Sequence, residues 1–261
     1  MLIDKSPKKP LLISHRGAHK EAPENSCEAF EIAMDYGVDG IETDVQLSRD
    51  GIPVLFHNPT AYHVTGSRKR ISAYTGEQLQ ALNLRQKGTF VGIPTLAEML
   101  TRFSQRTRLL IEIKSRKPDR VSGRSAELTD KVVSAIAGLP DGIESNIYIL
   151  SFDPDVLARA NRTAPQLKCV LNTDGTGDWC VSIADLMLGS VAMEFLSVVC
   201  LEKKKLSSRA IAWAHRHGLD VFTYCCNTRP QVERALALGV DGIMSDKPGW
   251  LVGLLGGHRA Q

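Results

Sequence analysis

No stretch of the sequence approaches the roughly 20 consecutive apolar residues that a membrane-spanning helix requires, so stable membrane insertion is not expected. Charge of one sign is not in excess. The 32 Lys and Arg against 29 Asp and Glu leave a net charge of +3, and the basic clusters (Lys8 and Lys9; Lys203, Lys204 and Lys205) are short enough to be ordinary solvated surface. Nucleic acid is therefore not an expected partner. Residues 1–10 are polar, carry Lys5, Lys8 and Lys9, and lack the apolar core of a signal peptide, which predicts a cytoplasmic location. The six cysteines, at 27, 169, 180, 200, 225 and 226, have no metal-type spacing, and the adjacent Cys225 and Cys226 are poorly placed to bridge each other. All six are expected as reduced thiols, mostly acting as small apolar residues. HExxH, GxSxG and a Gly-rich nucleotide loop are also missing, and Gly175 and Gly177 lack the context of a dinucleotide turn. Zinc-protease, serine-hydrolase and dinucleotide chemistry lose their usual signatures.

What the sequence does contain is alternation. With 43% hydrophobic and 23% charged residues it has the composition of a soluble globular protein, and 261 residues suit one α/β barrel. Short apolar runs at 11–14 and 38–45 flank a helix that Asn25 or Ser26 can cap and Gly37 can stop. An extended piece follows at 53–56. Residues 58–94 are rich in Pro, Thr, Gly, Ser and basic side chains, with one short helix expected near 76–82. Their low apolar content predicts an insertion over a cleft rather than a separate domain. After a helix capped by Thr95, strands are expected at 108–114, 146–151, 168–171, 191–195, 220–224 and 242–245. Helices are expected at 126–137, 153–162, 179–188, 207–217, 229–238 and 248–255. Counted with the first two strands, this makes eight strand–helix units in parallel βαβ order. A closed TIM (β/α)8 barrel, one domain over 1–261 with a small insertion (58–94) after the second strand, is the expected fold class.

In such a barrel the active site lies at the C-terminal ends of the strands. There the sequence places His15 and Arg16, Glu42 and Asp44, His57, Glu112 and Lys114, Ser151, Glu194, Thr223 and Asp246. Singly, each reads as an ion pair or a hydrogen-bonded structural residue. As a set they are harder to explain that way. Glu42 and Asp44 are two apart in a strand and share a face, as do Glu112 and Lys114. Unpaired charges inside a barrel would cost several kcal/mol. A divalent cation resolves this, because Glu42, Asp44 and Glu112 are hard oxygen ligands suited to Mg²⁺ or Ca²⁺ rather than Zn²⁺. Arg16 and Lys114 beside that ion would make a pocket for an anion such as phosphate. Two histidines facing a phosphate supply a general base and a general acid. The nucleophile is then a substrate hydroxyl or water.

Several motifs in order carry a resemblance: His15-Arg16-Gly17, Glu24-Asn25-Ser26, Glu42-Thr43-Asp44-Val45, Asp50-Gly51-Ile52-Pro53-Val54, His57, Glu112-Ile113-Lys114, Ser151-Phe152-Asp153 and the run from Gly239 to Pro248. Together they resemble the glycerophosphodiester phosphodiesterases over nearly the whole chain. The resemblance implies a TIM barrel, His15 and His57 as the acid–base pair, and Glu42, Asp44 and Glu112 as ligands of the divalent cation. It also implies Arg16 and Lys114 on the phosphate, and Glu24 and Asn25 as supporting residues. The implied reaction is cleavage of a small glycerophosphodiester to glycerol 3-phosphate and an alcohol, with the glycerol 2-hydroxyl as internal nucleophile. Asn58, Ser26, Phe222 and Cys225 depart from the family pattern, which carries Asp, Thr, Trp and Asn there; Phe222 and Cys225 bear on substrate preference more than on chemistry.

Two other readings stay open at this stage. A phospholipase D-like enzyme acting on lysophospholipid or sphingomyelin would need an apolar entry, and Phe90-Val91 is the clearest bulky apolar pair in a mostly polar 58–94. A non-catalytic phosphate-binding module is the other, set against both histidines and all three acidic residues being present. Assembly into a homo-oligomer is left open.

Overall fold

The computed structural model describes residues 9–86, 89–175 and 180–256. Eight parallel strands close on themselves: β1 (Leu11–His15), β2 (Gly40–Leu47), β6 (Arg108–Ile113), β7 (Ile147–Ser151), β8 (Lys168–Asn172), β9 (Leu196–Glu202), β10 (Asp220–Tyr224) and β11 (Gly242–Ser245). Closure comes from β1, which pairs with both β2 and β11. The barrel expected from the alternating pattern is therefore the fold. One further strand, β3 (Pro53–Leu55), runs antiparallel on β2 outside the ring.

Helices α1 (Cys27–Asp35), α4 (Leu96–Phe103), α6 (Arg124–Ala137), α7 (Pro154–Thr163), α8 (Ile183–Met187), α9 (Ser208–Arg216), α10 (Arg229–Leu238) and α11 (Pro248–Gly256) cover the outside, with a short α5 (Lys117–Val121) before α6. Local chemistry starts them where the sequence suggested. The Ser26 and Thr95 hydroxyls accept from the backbone N–H of Ala29 and Glu98, and Asp153 accepts from the N–H of Asp155 beside Pro154. Between β3 and α4 lie α2 (Tyr62–Thr65), α3 (Gly76–Gln80) and the hairpin β4 (Leu84–Gln86) with β5 (Thr89–Val91). Ala61, Ile71, Leu79, Leu84 and Ile93 from this segment pack with Val54 and Phe56 into a satellite apolar cluster.

One strand is displaced from its expected place. Residues 191–195 are not a strand, and Glu194 is exposed instead of ending one. Val191, Met193 and Phe195 pack half-buried against the helical layer, and the strand is the next apolar run, β9. That run is buried almost throughout, as a parallel strand covered on both faces must be. The helix expected at 179–188 is described only as α8; Trp179 and Gly177 fall outside the described residues, as do residues 1–8 and the side chain of Phe90.

Two apolar layers result. Ile41, Val45, Ile111, Ile149, Val199 and Ile243 face outward under the helices. Ile13, Leu110, Leu150, Val170, Cys200, Phe222 and Met244 fill the barrel interior.

Candidate active site

Six of the inward-facing rows become polar as their strands near the C-terminal end, while on β7 Leu150 is followed by Phe152. Ile13 is followed by His15, Leu110 by Glu112 and Lys114, Val170 by Asn172, Cys200 by Glu202, Phe222 by Tyr224, and Met244 by Asp246. Period-two geometry keeps each pair on one face. The register aligns His15 with Glu42 and Asp44 with Glu112 across neighbouring strands. The mouth is a cavity of about 550 Å³ whose lining includes His15, Arg16, Glu42, His57, Glu112 and Lys114. Both histidines thus face one space.

His15 is held from behind. Its Nδ1 lies 2.6 Å from Asp246 Oδ1, and Asp246 Oδ2 accepts from Asn227 Nδ2 at 2.6 Å. Its Nε2 lies 3.9 Å from Glu42 Oε2. His57 sits past β3, with its carbonyl accepting from Arg116 at 2.8 Å and its Nδ1 3.2 Å from Asn58 Oδ1. Burial draws the His57 imidazole down to about 4.

Arg16 and Asn25 both have positive φ, 58° and 57°. The strain is compensated by contacts. The Arg16 N–H donates to Glu42 Oε2 at 3.2 Å, its Nη1 to Glu24 at 3.1 Å, and its Nε lies 3.1 Å from Asp44 Oδ2. Asn25 donates to Asp44 Oδ2 at 2.9 Å and accepts from the Thr43 hydroxyl at 2.7 Å and the Asp44 N–H at 3.2 Å. Gly17 lets this turn lie against α1: a Cβ there would stand 2.7 Å from the Ala29 carbonyl carbon.

Ligand oxygens of Glu42, Asp44 and Glu112 lie within 4.8 Å of one another, and all three residues are buried. Lys114 Nζ is 2.6 Å from Asp44 Oδ1 and also contacts Glu112 Oε1. Both cations expected on a phosphate, Arg16 and Lys114, are therefore engaged with carboxylates here while lining the cavity. Burial would raise the Asp44 carboxyl, but Lys114 and Arg16 outweigh it and hold the group well below the usual range. Glu42 goes the other way: burial, then Asp44 and Glu112, push it well above. Glu42 Oε1 and Asn172 Oδ1 are buried without a hydrogen-bond partner among the described residues. Unpartnered oxygens beside an all-carboxylate set are the environment a hard divalent cation fits.

Several contacts and residues of this rim are not readable from the sequence. Asp246 was visible as a strand-end acid, but nothing in the sequence tied it to His15, 231 residues away. Asn227 and Asn172 gave no signal beyond their positions after a strand. Glu202 lies on the strand end that the reading of 191–195 gave to Glu194. Phe152 and Tyr224, rings 6.2 Å apart edge to face, also line the cavity.

The model of the glycerophosphoryl diester phosphodiesterase family matches residues 15–250. The chain belongs to that family. It is accordingly a phosphoric diester hydrolase. A glycerophosphodiester phosphodiesterase of Caldanaerobacter subterraneus subsp. tengcongensis is 30% identical over 254 residues, covering 95% of this chain and 98% of that protein. Among solved structures, a Silicibacter pomeroyi protein named for the same activity superposes with a TM-score of 0.84 at 25% identity, covering 97% of this chain and 95% of that one. An Oleispira antarctica phosphodiesterase in complex with the product sn-glycerol-3-phosphate shares the fold, with a TM-score of 0.78 at 22% identity over 95% of this chain and 97% of that one. Among the described residues, no helix is long and apolar enough to cross a membrane.

Proposed function

We propose that this phosphodiesterase cleaves small glycerophosphodiesters to glycerol 3-phosphate and an alcohol, with His15 and His57 as the acid–base pair. The observation that carries the reading is the opening of both imidazoles onto one cavity with Glu42 and Glu112, which cluster with the buried Asp44 behind them. Glu42, Asp44 and Glu112 would hold a divalent cation, Mg²⁺ or Ca²⁺, which when bound stabilises negative charge on the phosphoryl oxygens. Arg16 and Lys114 add positive charge on the same wall and favour an anionic substrate. Asn25 and Glu24 position the acidic set through Asp44 and Arg16.

Asp246 occupies His15 Nδ1 and so leaves Nε2 as the face that receives a proton. His15 takes the proton of the attacking hydroxyl, the glycerol 2-hydroxyl or water. His57 protonates the departing alcohol oxygen. Burial makes protonated His57 a strong acid, and a bound phosphodiester anion raises its charged fraction. The structural relative that holds sn-glycerol-3-phosphate as product agrees with this direction of cleavage.

The test is release of glycerol 3-phosphate from glycerophosphocholine and glycerophosphoethanolamine with Mg²⁺, Ca²⁺ or EDTA. Activity that needs the cation and is lost in His15→Ala and in His57→Ala supports the proposal. Activity indifferent to chelation, or to either substitution, refutes it.

A further inference from the structure

A second group of metal-ligating side chains meets beside the carboxylate cluster. His15, Cys225 and Asp246 each present a ligand atom, all within 4.8 Å of one another. They stand at the ends of three neighbouring strands, β1, β10 and β11. His19 is adjacent, with Nε2 3.8 Å from Asp246 Oδ1 and its ring in edge contact with that of His15. This set differs from Glu42, Asp44 and Glu112 in kind, because it offers nitrogen, sulfur and oxygen together. Tetrahedral zinc has bonds of roughly 2.0–2.3 Å, which places its ligand atoms about 3.3–3.8 Å apart. The three side chains need only small rotations to reach that spacing, once the 2.6 Å contact between His15 and Asp246 opens. A thiolate and an imidazole favour a borderline or soft ion over Mg²⁺ or Ca²⁺.

We propose that His15, Cys225 and Asp246 form a second, inhibitory metal site for Zn²⁺ or a comparable transition-metal ion, with His19 in reach as a fourth ligand. On binding, the sulfur–metal bond replaces the S–H bond and the thiol proton passes to solvent; nothing is oxidised or reduced. The ion engages the His15 ring, so the imidazole loses the partner that orients it and its freedom to accept a proton. It also sets positive charge next to Glu42, whose carboxylate lies 3.9 Å from His15 Nε2. The inhibitory half rests on the proposed role of His15; metal binding does not.

The experiment titrates Co²⁺ into metal-stripped protein and follows the near-ultraviolet thiolate-to-cobalt absorption, a band that an all-oxygen site does not produce. Wild type is expected to give a saturable band. Cys225→Asn and Cys225→Ser are both expected to lose it, and His15→Ala to weaken cobalt affinity by about tenfold or more. A companion assay at saturating Mg²⁺ measures zinc inhibition of each protein relative to its own zinc-free rate. Half-inhibition should need about tenfold more zinc in Cys225→Asn than in wild type. No band in wild type, or a band unchanged in both cysteine variants, overturns the site. A band with the expected losses but no zinc inhibition overturns the inhibitory role, and points to failure of the acid–base assignment of His15 rather than of the site.

Discussion

Asn25→Ala tests whether the buried acidic cluster is held by a residue that never enters the cavity. Asn25 is 1% exposed and makes three hydrogen bonds with Thr43 and Asp44. Truncation leaves the Thr43 hydroxyl, the Asp44 N–H and one Asp44 carboxylate oxygen without that partner. At the low end of the usual range this costs about 1 kcal/mol for each group. Alanine at φ 57° adds about 1 kcal/mol of backbone strain that asparagine tolerates better. The expected loss is about 4 kcal/mol, which for a chain of this size lowers Tm by roughly 8–16 °C. Asn25→Gly separates the two causes, since glycine removes the hydrogen bonds without the steric strain and should lose about 3 kcal/mol. Thermal and urea unfolding of all three proteins, with EDTA present, reads the effect free of metal linkage. If Asn25→Ala melts within about 3 °C of wild type, Asn25 does not hold Asp44 in place and the argument fails.

Asp246→Asn should lower kcat by about ten- to a hundredfold with little change in KM, because His15 loses the group that orients its ring; steady-state kinetics checks this. In EDTA-treated protein, His57 titrates near 4 when folded and near 6.5 when unfolded. The unfolded chain therefore takes up that proton first, so the His57 contribution is complete above about pH 6.5 and is lost as pH falls toward 4. Melting curves against pH should show a shallower acid decline in His57→Asn than in wild type. Gly17→Ala forces a side chain onto the Ala29 backbone at a φ of 75°, and should cost at least about 2 kcal/mol in urea unfolding.

The barrel was legible because its strands and helices alternate at short spacing, and because caps such as Ser26, Thr95 and Asp153 carry their own chemistry. The carboxylate set was legible for the same local reason: two acids two residues apart in an apolar strand must share a face. The strand β9 was misplaced because Val191, Met193 and Phe195 alternate as a half-buried strand would. The continuous apolar run beginning at Val198 was the better sign of a doubly covered strand. The grouping of His15 with Asp246, His19 and Cys225 was out of reach, since it depends on β1 closing the ring against β11 and no spacing encodes that contact. The pairing of Lys114 with Asp44 and Glu112 was equally hidden. Sequence shows that the charges share a strand end, not which of them touch.

Calorimetric titration of EDTA-stripped protein with Mg²⁺ and with Ca²⁺ is the most direct test of the cation site. The account predicts saturable binding of at least one of the two ions in wild type, with proton release that grows as pH falls because Glu42 must give up its proton to bind. It also predicts loss of that binding in Glu42→Gln and in Glu112→Gln. No binding in wild type, or undiminished binding in both variants, would contradict it.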